Sequence, residues 1–475
     1  METQNRSFAY ESKRQMPRTL RAYSVMLLLL CFGAASLTAQ SSARQAPPRT
    51  RIVVRDGLGL NGILNLCGLL GCSTAEGLGD PQGQLFMIET PASLNLITDL
   101  LNIHLLGIVS IETDQVVQAQ GASAGPAPSY LTDKTPFLYY GTPVWHGYVY
   151  QPANQLIRTD ATHMGFNSAG SGVIVADIDT GVDPNHPVLK SSLITGYDFT
   201  RNQSGGSEMS DVTQSSVAVL DGEGQPAKVN QSSVAVLDQS SVAVLDGPPY
   251  ADFGHGTMTA GIIHLVAPQA KIMPLKSFQA NGSGYNSDIL RAIYYAVGHG
   301  AKVINMSFNY TTYSRELANA VNYATANGVI CVASAGNSGE QATVYPAALK
   351  GVIDVASTSD EDTPSSFSNY GAPPVWLAAP GEGVMTTYPF GTYAAGWGTS
   401  FSTPLVSGTA ALMVSSCGTG VSVGSHSLNL SCPSVEPQAA NALAHTQPIS
   451  DPQMGRGRLD TYRALQAWRN SLGLH

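Results

Sequence analysis

The chain has 475 residues, a net charge of −9 at pH 7 and only 12% charged side chains. That length holds two or three domains. No Lys/Arg cluster follows the first 25 residues, which argues against a nucleic-acid surface or a polybasic membrane patch.

From Met16 the chain reads MPRTLRAYSVMLLLLCFGAASLTAQSSA, with Arg18 and Arg21 ahead of an apolar run from Val25 to Phe32 and small residues after it. This is the pattern of a secretory signal peptide within residues 1–43, with Met16 as an alternative start. The run is shorter than the ~20 residues a membrane span needs. The expected product is secreted, or periplasmic, with no membrane insertion once the signal is cleaved. A lipid anchor on Cys31 is the rival reading, and the bulky Leu30 before it argues against that. An oxidising compartment permits disulfides. Cys67 with Cys72 and Cys417 with Cys432 are the candidate pairs, and Cys331, inside GVICVASAG, reads as a buried thiol.

Residues 51–118 read as strand RIVVR, helix LNGILNLCGLL, strand QLFMIET, helix PASLNLITDLLNIH and closing strand GIVSIETDQVV, a small α+β unit. GASAGPAPS at 121–129 is a linker. From about Ser171, wholly apolar runs alternate with helical patterns. GVIVADIDTG, KIMPLKSF, AKVINMSF, GVICVASAGN and GVIDVAST are the strands; DILRAIYYAVGHG, SRELANAVNYATANG and SFSTPLVSGTAALMVSS are the helices. The fold class is therefore α/β, a mainly parallel central sheet with helices on both faces. Such sheets bind ligands beyond the carboxyl ends of their strands.

Asp179, His255, Asn337 and Ser400 stand in Gly-rich turns at strand ends or helix starts. An Asp, a His and a Ser so placed are what nucleophilic acyl transfer needs. DTG is also an aspartic-protease signature, but that chemistry needs two such carboxylates and no second DTG or DSG occurs. His264 and His299 fit no metal-ligand spacing, and no HExxH is present.

In order, DIDTGVDPNHP, GHGTMTAG, VINMSF, ASAGN and GTSFSTPLVSGTAALM resemble the subtilisin-like serine proteases, the subtilases. The resemblance runs from about Trp145 to Leu465. It implies a secreted endopeptidase with Asp179, His255 and Ser400 as catalytic triad, and Asn337 with the Ser400 backbone N–H as oxyanion hole. It implies Ser307, Phe308 and Asn309 as one substrate-binding edge, and Ser334, Ala335 and Gly336 as the pocket floor. It implies domains at 1–43 (signal), 48–118 (inhibitory and chaperoning propeptide), 119–143 (linker and maturation region) and 144–470 (peptidase). The partners implied are protein or peptide substrates and the chain's own propeptide, acting on a monomer. A retained N-terminal domain, a transpeptidase or peptide cyclase, and a non-catalytic binding protein on the same fold are the alternatives.

Three departures from the family stand out. GHGTMTAGIIHLVAP runs through without the usual calcium loop, and Val188 replaces an aspartate ligand, so no cofactor is expected to be required, with calcium elsewhere left open. Phe308-Asn309-Tyr310 replaces glycines at the cleft edge. QSSVAVLD occurs three times, at 214–221, 231–238 and 239–246, within an insertion at about 203–250. Its alternation suits short strands, with copies two and three as a hairpin.

Overall fold

The computed structural model describes residues 49–93, 95–97, 107–118, 125–212, 234–236, 250–371, 375–418, 422–423, 426–427 and 436–474. The expected signal peptide, most of the repeats and Cys432 lie outside them.

The first strands are β1 (Thr50–Asp56), β2 (Thr74–Gly77), β3 (Leu85–Thr90) and β4 (Ile108–Thr113), in sheet order β2-β3-β1-β4. Helix α1 (Leu60–Leu70) packs on one face, where Ile52, Val54, Phe86 and Ile88 meet Ile63, Leu66 and Leu70. A left-handed Gly71 closes α1, and the Cys67–Cys72 disulfide spans that turn. Because side chains alternate along a strand, Val53, Leu85 and Met87 face the other way. They join the core of the later residues.

The expected closing strand breaks in two. Asp114 leaves the sheet to bind Arg51 and both the backbone N–H and hydroxyl of Ser287, and the chain resumes as β5 (Val116–Gln118). A small hairpin, β6 (Pro136–Tyr139) and β7 (Thr142–Trp145), then leads to the main body.

The main sheet uses β8 (Ile174–Asp179), β9 (Gly196–Asp198), β10 (Gln203–Gly205), β12 (Lys271–Lys276), β14 (Val303–Met306), β15 (Ile330–Ser334), β16 (Val352–Thr358) and β17 (Leu377–Pro380). The order is β10-β9-β12-β8-β14-β15-β16-β17, parallel except for the β10–β9 pair. Val175, Val303, Val332 and Val355 pack against α2 (His255–Val266) and α5 (Thr399–Gly418) on one face. Ala176, Ile304, Cys331 and Ala333 pack on the other, against α3 (Asn286–Gly298) and α4 (Arg315–Ala326). Strands apolar on both faces thus demand helices on both. Cys331 sits here as a buried thiol.

The second copy of the repeat forms β11 (Val234–Val236); the third, with which a hairpin is expected, lies outside the described residues. Strand β11 pairs with β19 (Thr392–Gly396), which itself pairs with β18 (Val384–Tyr388), giving a three-stranded sheet that leads into the turn before Ser400. Strand β13 (Ser283–Tyr285) completes the set. Among the described residues no helix is long and apolar enough to cross a membrane.

Candidate active site

Asp179 ends β8, and His255 opens α2. Their turns meet because two glycines let backbone touch backbone: a Cβ on Gly256 would lie 2.1 Å from the Gly181 carbonyl, and Gly181 itself has φ 98°. The result is His255 Nδ1 at 2.8 Å and 2.9 Å from the two oxygens of Asp179. Burial pulls the imidazole pKa down, but the charge and hydrogen bond of Asp179, with Asp252 and Asp177 nearby, outweigh it and raise it to about 9. Asp177 shares the face of Asp179, accepts from Asn305 Nδ2 at 2.9 Å and Thr259 Oγ1 at 2.8 Å, and is pushed up by burial and by its neighbour's charge.

Ser400 lies in the first turn of α5 and is buried. Its Oγ donates to the Ser307 carbonyl at 3.1 Å rather than to His255. Catalytic hydrogen bonds of unliganded sites often close only around substrate. The imidazole is adjacent, with its ring centroid 5.6 Å from that of Phe401, the next residue. Pro404 has no N–H to offer the Ser400 carbonyl four residues back. Ser307 Oγ supplies the missing donor at 3.0 Å. Ser307 therefore braces the backbone of Ser400.

Asn337 follows β15. Its Oδ1 accepts from both the N–H and the hydroxyl of Thr399, each at 2.9 Å, which fixes the amide and turns Nδ2 toward Gly398 and the nucleophile's turn.

The expected substrate residues divide by role. Phe308 is buried with its ring 4.9 Å from Phe278, in the same apolar cluster as Val117. Asn309 keeps a buried Nδ2 without a hydrogen-bond partner, and its Oδ1 lies 3.4 Å from where a Gly336 Cβ would stand, so the two expected walls converge. Ser334 Oγ is buried and unpartnered. Ala335 turns its side chain into a separate cluster with Ala356, Ala378 and Met454, so it offers the cleft only backbone.

Two features escaped the sequence reading. One is the opposite edge, β13, against which β5 lies antiparallel, Gly284 opposite Val117. The other is Glu208, fully buried behind the Asp179–His255 pair. Neither carries a motif, although GSG at 282–284 shows a backbone built for close approach.

A family model described as the subtilase family matches residues 170–423, more than half the chain. The chain belongs to the subtilase family. Over 256 residues this subtilase is 36% identical to thermitase of Thermoactinomyces vulgaris, covering 52% of this chain and 76% of that protein. It is 41% identical to subtilisin Savinase of Lederbergia lenta over 169 residues, which is 34% of this chain and 62% of that one. Among solved structures, fervidolysin from Fervidobacterium pennivorans, a keratinolytic enzyme related to subtilisin, superposes with TM-score 0.64 at 23% identity, covering 90% of this chain and 62% of its own. That last likeness concerns the fold alone. The subtilase is a serine-type endopeptidase, and its substrates are proteins or peptides.

Proposed function

We propose that the endopeptidase works through an acyl-enzyme built on Asp179, His255 and Ser400, and that it is made as a secreted, self-processing precursor. The observation that carries the triad is His255 Nδ1 seated on both oxygens of Asp179. That contact leaves Nε2 to take the Ser400 proton as Oγ attacks the carbonyl, and to hand it to the leaving amine. Asp179 holds the tautomer and stabilises the imidazolium. Asn337 Nδ2 and the Ser400 N–H receive the oxyanion; losing one such donor costs on the order of a hundred- to a thousandfold in rate, the loss known from subtilisin.

The precursor reading rests on residues 50–118. Their last strand, β5, occupies the β13 edge as a substrate would, by strand addition. The acidic pair before it caps two helices of the peptidase: Glu112 accepts from the Arg315 and Glu316 N–H groups, and Asp114 from that of Ser287. Maturation then falls beyond Gln118, in the region up to 143. The family's familiar calcium site finds no side-chain oxygen at Val188, which is buried in the core, so the proposal includes no required cofactor.

The test is expression of wild type and Ser400→Ala with the signal intact, followed by mass and N-terminal sequence of each exported product. Wild type should lose everything through a point between 118 and 143 while the variant stays a precursor. Identical trimming of both, or of neither, refutes self-processing.

A further inference from the structure

Glu208 is fully buried, lies on no motif, and sits on the short 3-10 turn Glu208–Asp211, ahead of the first repeat copy at Gln214. A buried carboxylate is costly unless its oxygens are satisfied, and this one is engaged by three donors. Oε2 accepts from the Gly254 N–H at 2.7 Å and from Thr180 Oγ1 at 3.3 Å, and Oε1 accepts from Thr257 Oγ1. Gly254 is the N-cap of α2, the residue before His255, and has no side chain with which to cap the helix itself. Thr180 is the residue after Asp179, and its hydroxyl also receives the Gly256 N–H at 3.0 Å. Thr257 Oγ1 in turn receives the Asp183 N–H at 2.8 Å. The two segments that present Asp179 and His255 are therefore laced together through one side chain.

The backbone of the same turn reinforces this. A Cβ on Gly181 would lie 2.8 Å from the Glu208 nitrogen, and the Val182 N–H donates to the Gly206 carbonyl at 2.9 Å. Lys276, also fully buried, ties the turn down from the far side, reaching the Thr180 carbonyl at 2.7 Å and Asp211 Oδ2 at 2.7 Å.

We infer that Glu208 is a positioning residue of the peptidase, a carboxylate clamp that takes the N–H of Gly254 at the head of the His255 helix, holds Thr180, whose hydroxyl caps that helix at Gly256, and so fixes the helix against the Asp179 turn. The inference rests on the triad reading. It assigns Glu208 no contact with substrate: its effect is on the reacting geometry, where a misplacement of about 1 Å costs on the order of a hundredfold.

The test compares wild type, Glu208→Ala, Glu208→Gln, Arg201→Ala and Ser400→Ala on a chromogenic peptide. Glu208→Ala should lower kcat by roughly ten- to a hundredfold with KM within about twofold. Glu208→Gln keeps an acceptor for the Gly254 N–H and should fall between that and wild type. Arg201 pairs with Asp198 and Asp211 on the same segment but does not touch the dyad, so Arg201→Ala should leave kcat unchanged. Wild-type kcat in Glu208→Ala, or equal losses in Glu208→Ala and Arg201→Ala, would overturn the clamp. Should Glu208→Ala not fold, Glu208→Gln decides, and wild-type kcat in that variant is fatal to the idea. Undiminished hydrolysis by Ser400→Ala would instead sink the triad reading on which the clamp rests.

Discussion

At the scale of single residues, the His255 imidazole sets how the enzyme responds to pH. Its pKa lies above the usual histidine value, at about 9, because Asp179 outweighs the effect of burial. In the proposed triad only the neutral imidazole can accept the Ser400 proton, so kcat/KM should rise with pH, with its acidic limb well above 6.5. The stability contribution runs the other way. A raised folded pKa means the imidazolium pairing stabilises the fold fully below about pH 6.5, and this is lost as pH passes through about 9. Asp179→Asn should move the limb to lower pH and cut kcat by about ten-thousandfold. A limb unmoved in a kcat/KM titration of that variant would show that Asp179 does not set the imidazole's pKa. Gly256→Ala makes a separate point about the same contact. Its Cβ would meet the Gly181 carbonyl, which is backbone and cannot swing away, so a loss of about 1–3 kcal/mol should appear in denaturant unfolding.

At the scale of elements, the repeats find a place that their alternation could only half foretell. VAVL suits a strand, but which edge it joins is a non-local fact: the partner is β19, whose Ala394, Ala395 and Gly396 precede the nucleophile's turn. Copies two and three touch, so deleting Gln231–Asp238 leaves Asn230 followed by the same QSSVAVLD phrase in the same register. That deletion should leave the melting temperature and cleavage preferences unchanged. Deleting all of Gln214–Asp246 bares the edge of β19 and should lower Tm by roughly a few degrees, readable by calorimetry. The contrast marks what the sequence could show. Apolar strands, their helices and the Asp, His, Asn and Ser turns were legible because each signal is local. The break of the expected closing strand at Asp114, the β13 edge and Glu208 were not, because each depends on a partner more than 40 positions away.

At the scale of the whole molecule, the N-terminal unit is held by the same alternation that folds it. Ile52 and Val54 bury against its own helix while Val53 reaches the peptidase core, so β1 serves two cores at once. Two ion pairs accompany those apolar contacts, Glu76 with Arg291 at 3.0 Å and the more buried Arg55 with Glu316 at 2.7 Å, where Ser110 Oγ sits on the other carboxylate oxygen at 2.5 Å. Desolvation of Glu316 works against its charge, but the Arg55 and Ser110 bonds prevail and hold its pKa below the ordinary value. A depressed pKa in the docked state means the pair holds the unit in place above the usual glutamate range and lets go as pH falls, so acid should speed release. Breaking such a pair from one side leaves a buried carboxylate alone, a penalty of about 3–5 kcal/mol when burial is complete, and Arg55, which keeps some solvent contact, should give the lower part of that range. On the proposed self-processing route, Arg55→Ala in the full chain should therefore shorten the lag between self-cleavage and the appearance of activity by at least tenfold, while Arg55→Ala with Glu316→Leu recovers much of it by removing the stranded charge. The lag is read directly from progress curves on a peptide substrate. Equal lags in wild type and Arg55→Ala would mean that the other contacts, apolar at Val53, Leu85 and Met87 and polar at Glu76, Glu112 and Asp114, set the release rate without that pair.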